Sequence, residues 1–351
     1  MSQEQQTPHK RRVRYKGKYP KKFEEKYKEL QPEKYQETVE HVIRKGNTPA
    51  GMHISIMVKE ILDFLDIQPG QTGFDATLGY GGHTKAMLEC LKGQGHIYAT
   101  DVDPEESDKT KKRLADQGFG EDLLTVKLQN FCTIDEIAKE VGGFDFILAD
   151  LGVSSMQIDN PKRGFSFKVD GPLDLRLNQD AGISAAERLD TITRDELAGM
   201  LYENSDEPYC EELAKAITDE IRKGNRIDTT TKLRQVIEKT LDFLPEKEKK
   251  DTIKKTCQRT FQALRIDVNR EFEVLYEFME KLPDALRPGG RVAILTFHSG
   301  EDKLVKKALK EGYKAGIYSD YAKDVIRPSA QECAQNGRAR STKMRWAVKN
   351  K

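Results

Sequence analysis

The sequence predicts an α/β fold in which a Rossmann-like parallel sheet with crossover helices is interrupted by an inserted all-helical domain. Short apolar strands alternate with amphipathic helices as far as residue 150, an alternation typical of a parallel sheet. Between about residues 161 and 263 helical patterns replace strand patterns, and strands resume near residue 291. A glycine-rich turn follows the first predicted strand, where sheets of this kind bind nucleotide-like ligands.

Apolar periodicity and turn residues predict the first half of the sheet. Apolar residues recur at helical spacing before the first strand, and Pro69-Gly70 ends that pattern. The fourth strand is almost continuously apolar, as expected where both faces of a sheet are covered. The predicted elements are helix Ile54–Leu65, strand Thr72–Ala76, helix Thr84–Leu91, strand Ile97–Thr100, helix Pro104–Gln117, strand Leu124–Leu128 and strand Phe144–Asp150.

The second half is predicted to contain the insertion and the return to the sheet. Its helices are expected at Ala185–Asp190, Arg194–Tyr202, Tyr209–Lys223, Thr231–Leu241, Lys247–Leu264 and Arg270–Leu286. Strands are expected at Arg291–Phe297, after a Pro288-Gly289-Gly290 turn, and at Lys343–Lys349. The predicted division is a basic extension (1–50), a sheet domain in two parts (51–160 and 266–351) and a helical insertion (161–265).

Composition excludes several classes of protein. Hydrophobic residues make up 37% of the 351 residues and charged residues 33%, and no apolar run approaches the ~20 residues of a membrane span. The N-terminus has no apolar signal-peptide core, so a cytoplasmic location is expected. The five cysteines are scattered, which predicts neither a disulfide framework nor a metal site.

A basic run lies near the N-terminus. Lys10–Lys22 contains eight basic residues, no acidic ones, and the interleaved Tyr15 and Tyr19. This composition suits an arm that contacts nucleic-acid phosphates and stacks on bases. A disordered solubilising tail is the alternative interpretation.

The glycine-rich loop carries the first functional signal. Gly79, Gly81 and Gly82 follow the first strand, and Asp101 ends the next strand twenty residues after Gly81, where a carboxylate can bind two ribose hydroxyls. The spacing is not Gly-x-Gly-x-x-Gly, and nothing marks a pyrophosphate cradle on the next helix. Asp75, four residues before the first glycine, is instead typical of methyltransferases that use S-adenosylmethionine. A purely structural tight turn is the alternative.

Five unusual strings carry a resemblance to a known family. They are Asp75–His83, Asp150–Gln157, Arg163–Arg176, Phe297–Asp302 and Arg338–Lys343. In this order they resemble the MraW (RsmH) methyltransferases, which methylate the exocyclic N4 of a cytidine in small-subunit (16S) ribosomal RNA. The resemblance extends from His53 to the C-terminus and implies a methyltransferase sheet with a helical substrate-recognition insertion.

The resemblance implies a set of cofactor contacts, which are Gly81, Gly82, His83, Asp101, Phe131, Asp150 and Gln157. Asp101 can accept from both ribose hydroxyls. Phe131 can lie against the adenine or simply pack in the core. Asp150 would face the cationic part of S-adenosylmethionine, where a paired carboxylate costs little to desolvate. The loop needs only the backbone N–H of His83, so no proton-transfer role is expected for its imidazole.

Methylation of N4 requires a proton acceptor, because the amine lone pair is delocalised into the cytosine ring. Many amino-methylating enzymes supply the acceptor from an Asp/Asn-Pro-Pro-aromatic string after the fourth strand. The corresponding string, Asp150-Leu-Gly-Val-Ser-Ser, has no prolines and no adjacent aromatic residue. Asp150, Ser154, Asp174 or a backbone carbonyl could therefore be the acceptor.

Substrate contacts are expected in three strings. Arg163 and Arg176 could meet phosphates while Phe165 and Phe167 offer an aromatic face to an extruded base, although the two phenylalanines could equally seal the insertion onto the sheet. His298 is expected to shape the substrate mouth, with Asp302 capping the next helix. The basic residues Arg338, Arg340, Lys343 and Arg345 suit either phosphate contact or ordinary surface charge.

Small departures from the family pattern leave the substrate less certain than the chemistry. Gly300 stands where leucine is usual, which would remove an apolar contact, and the basic extension exceeds the family's usual short start. The alternatives are a methyltransferase of this fold acting on another RNA or acceptor atom, or a non-catalytic RNA-binding assembly factor. The expected partner is small-subunit ribosomal RNA, within an assembling or assembled subunit.

Overall fold

The computed structural model describes residues 55–351. The predicted extension at 1–50, with its basic run, therefore lies outside the described residues, as does the start of the first predicted helix. Among the helices of residues 55–351, none combines the length and apolar character that crossing a membrane requires.

The described strands form a single sheet. They are β1 (Thr72–Asp75), β2 (His96–Asp101), β3 (Leu124–Leu128), β4 (Phe144–Asp150), β5 (Leu286–Thr296), β6 (Tyr318–Tyr321) and β7 (Lys343–Lys349). Their order is β3-β2-β1-β4-β5-β7-β6. Strands β1 to β5 pair in parallel, whereas β7 runs antiparallel to both β5 and β6. The carboxyl ends of β1, β2, β4 and β5 consequently share one edge, where open α/β sheets bind ligands.

The helices between the strands match the predicted alternation. They are α1 (Val58–Leu65), α2 (Gly82–Leu91), α3 (Pro104–Asp116), α4 (Ile134–Val141), α5 (Ser155–Asp159), α6 (Ala185–Thr191), α7 (Arg194–Ser205), α8 (Cys210–Arg222), α9 (Thr230–Thr240), α10 (Glu246–Asn269), α11 (Glu271–Ala285), α12 (Ser299–Lys314) and α13 (Ala330–Gln335).

Helices cover both faces of the sheet. On one face α1, α2 and α3 bury apolar side chains such as Ile61, Met87 and Leu114. On the other, α4, α11 and α12 bury side chains that include Phe278 and Leu309. Because neither face meets water, β4 has the nearly continuous apolar sequence from which it was predicted.

The helical insertion has its own core. Its buried apolar side chains all lie between Phe165 and Leu264. They form a cluster that is separate from the two clusters on the sheet. Helix α10 continues to Asn269, so one helix carries the chain past the predicted boundary at 265. The side chain of Asn269 ties that helix to the start of the insertion, because it accepts from Leu177 N and donates to Leu175 O.

Several elements differ from the sequence prediction, and the short helices α5 and α13 were not predicted. Helix α4 was not predicted, although its four buried or half-buried apolar positions follow helical spacing. Strand β6 was also missed, because Tyr318-Ser-Asp-Tyr is a four-residue edge strand with exposed polar positions. The predicted Pro288-Gly-Gly turn lies inside β5, where the pairing with β4 shifts register between Phe144 and Phe146.

Close packing at Gly73 in β1 gives a stability prediction. A Cβ added there would lie 2.0 Å from the ring of Phe146, and overpacking of a core costs about 1–3 kcal/mol. Gly73→Ala should therefore lower the unfolding free energy by that amount in urea titrations. Gly199→Ala is the control, since its Cβ would meet nothing within 4 Å and alanine in a helix should add roughly 0.5–1 kcal/mol. Equal effects of the two changes would contradict this packing.

Candidate active site

The glycine loop, residues 77–83, passes from β1 into α2 with little room for side chains. Gly81 has φ 75° and caps the helix in the left-handed conformation. A Cβ on Gly82 would lie 2.0 Å from the Ser55 hydroxyl. The loop therefore brings backbone rather than side chains to the sheet edge, which permits close approach of a ligand.

Asp101 at the end of β2 holds this loop in place. Its Oδ2 accepts from Gly79 N at 2.7 Å and its Oδ1 accepts from Asp103 N at 2.9 Å. Burial raises the pKa of Asp101, and the two backbone N–H groups oppose that shift. A carboxylate has about four acceptor sites, so both oxygens retain capacity for ligand hydroxyls.

Asp75 is buried beneath the loop. It accepts from the hydroxyl of Thr84 at 2.6 Å and from Thr77 N at 3.1 Å. Burial raises its pKa despite these two hydrogen bonds. Asp75 thus braces the two ends of the glycine loop.

Asp150 at the end of β4 keeps one oxygen without a partner. Its backbone N donates to the Thr77 hydroxyl at 2.8 Å, and its Oδ2 lies 3.4 Å from Nδ1 of His83. The other oxygen, Oδ1, is enclosed and has no hydrogen-bond partner. A buried acceptor without a donor is costly, so Oδ1 is suited to a hydrogen-bond donor on a bound molecule.

Phe131 follows β3 in a short 3-10 turn, Phe131–Thr133. Its half-buried ring packs edge-on against Phe278, with the centroids 5.2 Å apart. The ring therefore contributes to the core and also keeps an accessible portion, so neither predicted role is excluded.

Ser154 and Gln157 form a capping box at the start of α5. The Ser154 hydroxyl accepts from Gln157 N, and the Gln157 side chain accepts from Ser154 N. The amide nitrogen of Gln157 also donates to Asp103 Oδ2 at 3.1 Å. The Ser154 hydroxyl thus serves the helix N-terminus.

A family model described as the MraW methylase family matches residues 50–350. The chain belongs to this family. It is 87% identical, over 99% of both chains, to "Ribosomal RNA small subunit methyltransferase H 1" of Agathobacter rectalis. It is 69% identical to the Lachnoclostridium phytofermentans protein of the same name, over 99% of this chain and 95% of the relative. A Thermotoga maritima O-methyltransferase structure has a TM-score of 0.39 at 12% identity, covering 86% of this chain and 68% of that one.

As an MraW-family enzyme the protein is a methyltransferase that uses S-adenosylmethionine. The residues at the sheet edge fit this cofactor in two respects. Asp101 and Asp150 have spare acceptor capacity for hydroxyl and ammonium donors. The glycine loop lets the backbone approach the cofactor closely. Asp75, just before the loop, is buried and accepts a hydrogen bond from Thr84, just after it.

Asp103 joins the methylase sheet to its insertion, and sequence reasoning missed this residue. Its Oδ2 accepts from Arg163 at 2.6 Å, in an ion pair whose side chains are 3% and 6% exposed. Arg163 also donates to the carbonyls of Arg176 and Leu177. The predicted phosphate contact of Arg163 is therefore wrong, because its guanidinium is buried and bonded. The sequence did contain one signal, because Asp103-Pro104 is a typical start of a helix with Asp103 as its N-cap. No local pattern identifies Arg163 as the partner of Asp103.

The other predicted site residues of the insertion also make structural contacts. Arg176 forms two bonds with Asp174. Burial alone would raise the pKa of Asp174, but Arg176 and Gln179 hold it below its usual range, so Asp174 is a poor proton acceptor. Phe165 lies in the insertion core and Phe167 packs edge-on against Phe261. Both rings therefore pack within the insertion itself, which is neither of the two contacts predicted for them.

His298 caps α12, which corrects the prediction that Asp302 does so. His298 and Glu301 form a capping box, whereas Asp302 pairs with the buried Arg345 at 2.7 Å. Close packing explains why position 300 is a glycine. A Cβ there would lie 2.6 Å from the ring of Phe272, so Phe272 fills the space that a leucine would need.

Glu271, His298 and Glu301 lie close enough to share a cation, with donor atoms within 4.8 Å of one another. Arg265 already forms two 2.8 Å bonds with Glu271. Both backbone N–H groups at 297 and 298 donate to Glu301. The carboxylates of this cluster thus already accept hydrogen bonds from the protein's own groups.

The C-terminal arginines have different surroundings. Arg338 bonds to both oxygens of Asp159 and to Ser155 O, so it fastens the C-terminal segment to α5. Arg345 is buried, which excludes it from the predicted basic surface. Arg340 is exposed and remains available for a phosphate.

Asp101 should carry a large share of cofactor affinity. Hydrogen bonds to charged groups contribute about 1.5–3 kcal/mol each, and 1.4 kcal/mol corresponds to tenfold in affinity. Asp101→Ala should therefore weaken S-adenosylmethionine binding at least ~tenfold in calorimetry. Asp122→Ala, an exposed acid before β3, is the control. Affinity within twofold of wild type for the Asp101 variant would contradict the assignment.

The pair of Asp103 and Arg163 should dominate the stability of the domain junction. Removing one partner of a buried ion pair costs about 3–5 kcal/mol, because the other charge is left buried. Asp103→Asn and Arg163→Met should each show this loss in urea unfolding, and the double variant should lose much less than their sum. The exposed pair of Lys59 and Asp63 provides the control cycle, in which little change is expected. Additive losses at 103 and 163 would show that the pair is not coupled.

Proposed function

We propose that this enzyme methylates N4 of a cytidine in the 16S rRNA of the small ribosomal subunit. The observation that carries the proposal is the 87% identity, over 99% of both chains, to a protein named as a small-subunit ribosomal RNA methyltransferase. The position of Asp150 supports the choice of an amine as acceptor.

Asp150 is the group that we assign to the amine proton. S-adenosylmethionine supplies a methyl group bound to a positively charged sulfur. Cytosine N4 becomes nucleophilic only as its proton is drawn away, so an acceptor must stand beside it. Asp150 has an oxygen without a donor, whereas the Ser154 hydroxyl caps α5 and Asp174 is held by Arg176.

Binding of the RNA is assigned to groups that the fold leaves available. Arg340 is exposed in the 3-10 turn at Gly337–Ser341, and a guanidinium there can pair with a phosphate. His298 follows β5 on the same edge as Asp150, but its imidazole caps α12 and is largely buried, so it is not assigned to the RNA. We further propose that the helical insertion recognises the small-subunit particle, since Asp103 and Arg163 anchor it beside the cofactor loop.

The test is methylation of small subunits that lack the modification. Wild-type protein with S-adenosylmethionine should produce N4-methylcytidine, detected by mass spectrometry of digested nucleosides. Asp150→Asn keeps the shape of the side chain but loses the acceptor charge, so the rate should fall ~10²-fold or more. Normal methylation by this variant would exclude Asp150 as the acceptor.

The same experiment separates the alternatives. A methyl group on a ring carbon or a ribose would show another acceptor atom. Binding to the subunits without transfer would indicate an assembly factor. Free 16S rRNA as a second substrate shows whether the particle itself is required.

A further inference from the structure

His83 is held between two oxygen atoms. It lies in the first turn of α2 and is buried. Its Nε2 is 2.8 Å from the carbonyl oxygen of Ile56, and its Nδ1 is 3.4 Å from Oδ2 of Asp150. The imidazole therefore links the chain before α1 to the end of β4, and the backbone N–H of His83 is not its only contribution.

The two contacts determine where the protons are. A carbonyl oxygen only accepts hydrogen bonds, so Nε2 of His83 must carry a proton. In a neutral ring Nδ1 would then be an acceptor, and an ionised Asp150 is an acceptor as well. Two acceptors facing each other at 3.4 Å repel, so the pair is stable only with a proton between them.

We propose that His83 is an imidazolium paired with the Asp150 carboxylate, and that it acts as a positioning residue for the methyl-transfer reaction. The charged ring donates to Oδ2 and orients the Asp150 carboxylate. Oδ1 is thereby left for the incoming amine. The kinetic part of this inference rests on the proposed function, whereas the protonation state of the pair does not.

The surroundings favour the charged ring. The charged groups that act on His83 are Asp150 on β4 and Asp75 on β1. Burial alone would lower the pKa of His83, but the bond to Asp150 and the charge of Asp75 raise it above the usual value. The oxygens of Asp75 already accept from Thr84 and Thr77, so Asp150 is the acid that His83 pairs with.

The proton balance of the reaction follows. Transfer of a methyl group forms the bond from N4 to carbon, breaks the bond from sulfur to carbon, and leaves one excess proton on N4. The Asp150 carboxylate takes that proton and becomes a neutral acid, while His83 keeps its own. The proton then leaves Asp150 for water with the product, which restores the ion pair.

The first measurement is nuclear magnetic resonance of the full chain labelled with ¹⁵N-histidine, without cofactor. The chain has six histidines, and the His83 signals are those absent from the spectrum of His83→Gln. Both ring nitrogens of His83 should carry protons at pH 7 and lose one only well above the usual pKa of about 6.5. In Asp150→Asn the pKa should fall. A neutral ring at pH 7, or a pKa unchanged by that substitution, would overturn the proposal.

The second measurement is the single-turnover rate of methyl transfer against pH. Because the pKa of His83 is raised, the pair is intact at lower pH and is lost as pH rises through that pKa, where the rate should fall. His83→Gln, which keeps a donor for Ile56 O, should be at least ~tenfold slower and lack this fall. His83→Asn, whose amide can donate to Asp150, should recover part of the rate. His96→Gln, on β2 and bonded to Thr125, should behave as wild type.

The outcomes distinguish failure of the proposed ion pair from failure of the proposed function. If wild type methylates small subunits but His83 is neutral, only the ion pair is wrong. If wild type methylates no RNA while His83 is charged, the proposed function fails and the ion pair stands. A wild-type rate in His83→Gln would show that the imidazole has no part in the reaction.

Discussion

The buried ion pair between Asp103 and Arg163 is the contact on which the joining of sheet and insertion depends. Burying two charges costs several kcal/mol per ion unless hydrogen bonds satisfy them. Asp103 caps α3 through one oxygen and accepts from Gln157 and Arg163 through the other. Arg163 donates two further bonds to backbone carbonyls of the insertion, and only its Nε is without a partner. Few other arrangements of these segments would satisfy both charges, so the pair specifies one geometry.

This pair also connects the cofactor site to the insertion in a short chain of contacts. Asp101, the predicted ribose acceptor, receives the backbone N–H of Asp103 and holds Gly79 in the glycine loop. Two residues later Asp103 holds Arg163. A shift of the insertion would therefore move Asp101, the predicted ribose acceptor. Rigid support of this kind is what placing a reactive nitrogen in line with a methyl group requires.

Three buried or half-buried acids, Asp75, Asp101 and Asp150, give the sheet edge its charge. The three carboxylates differ in their hydrogen-bond partners. Asp75 is satisfied by a hydroxyl and an N–H, Asp101 by two N–H groups, and Asp150 by His83 with one oxygen left over. Concentrated carboxylates favour a cationic ligand over a phosphate, in agreement with a cofactor that carries a sulfonium and an ammonium.

The sequence by itself determined the fold class, most of the strands and the family, because these depend on local patterns: apolar alternation, turn residues and short motifs. Asp101 and Asp150 could be placed at the ligand edge because they directly follow apolar strands. Tertiary structure decided the partners of Arg163, Phe165 and His83. Arg163 meets an acid sixty residues away, and His83 meets a carbonyl twenty-seven residues away. Side-chain partners so distant in sequence leave no local pattern, since only the packing of the insertion and of the chain before α1 against the sheet domain brings them together.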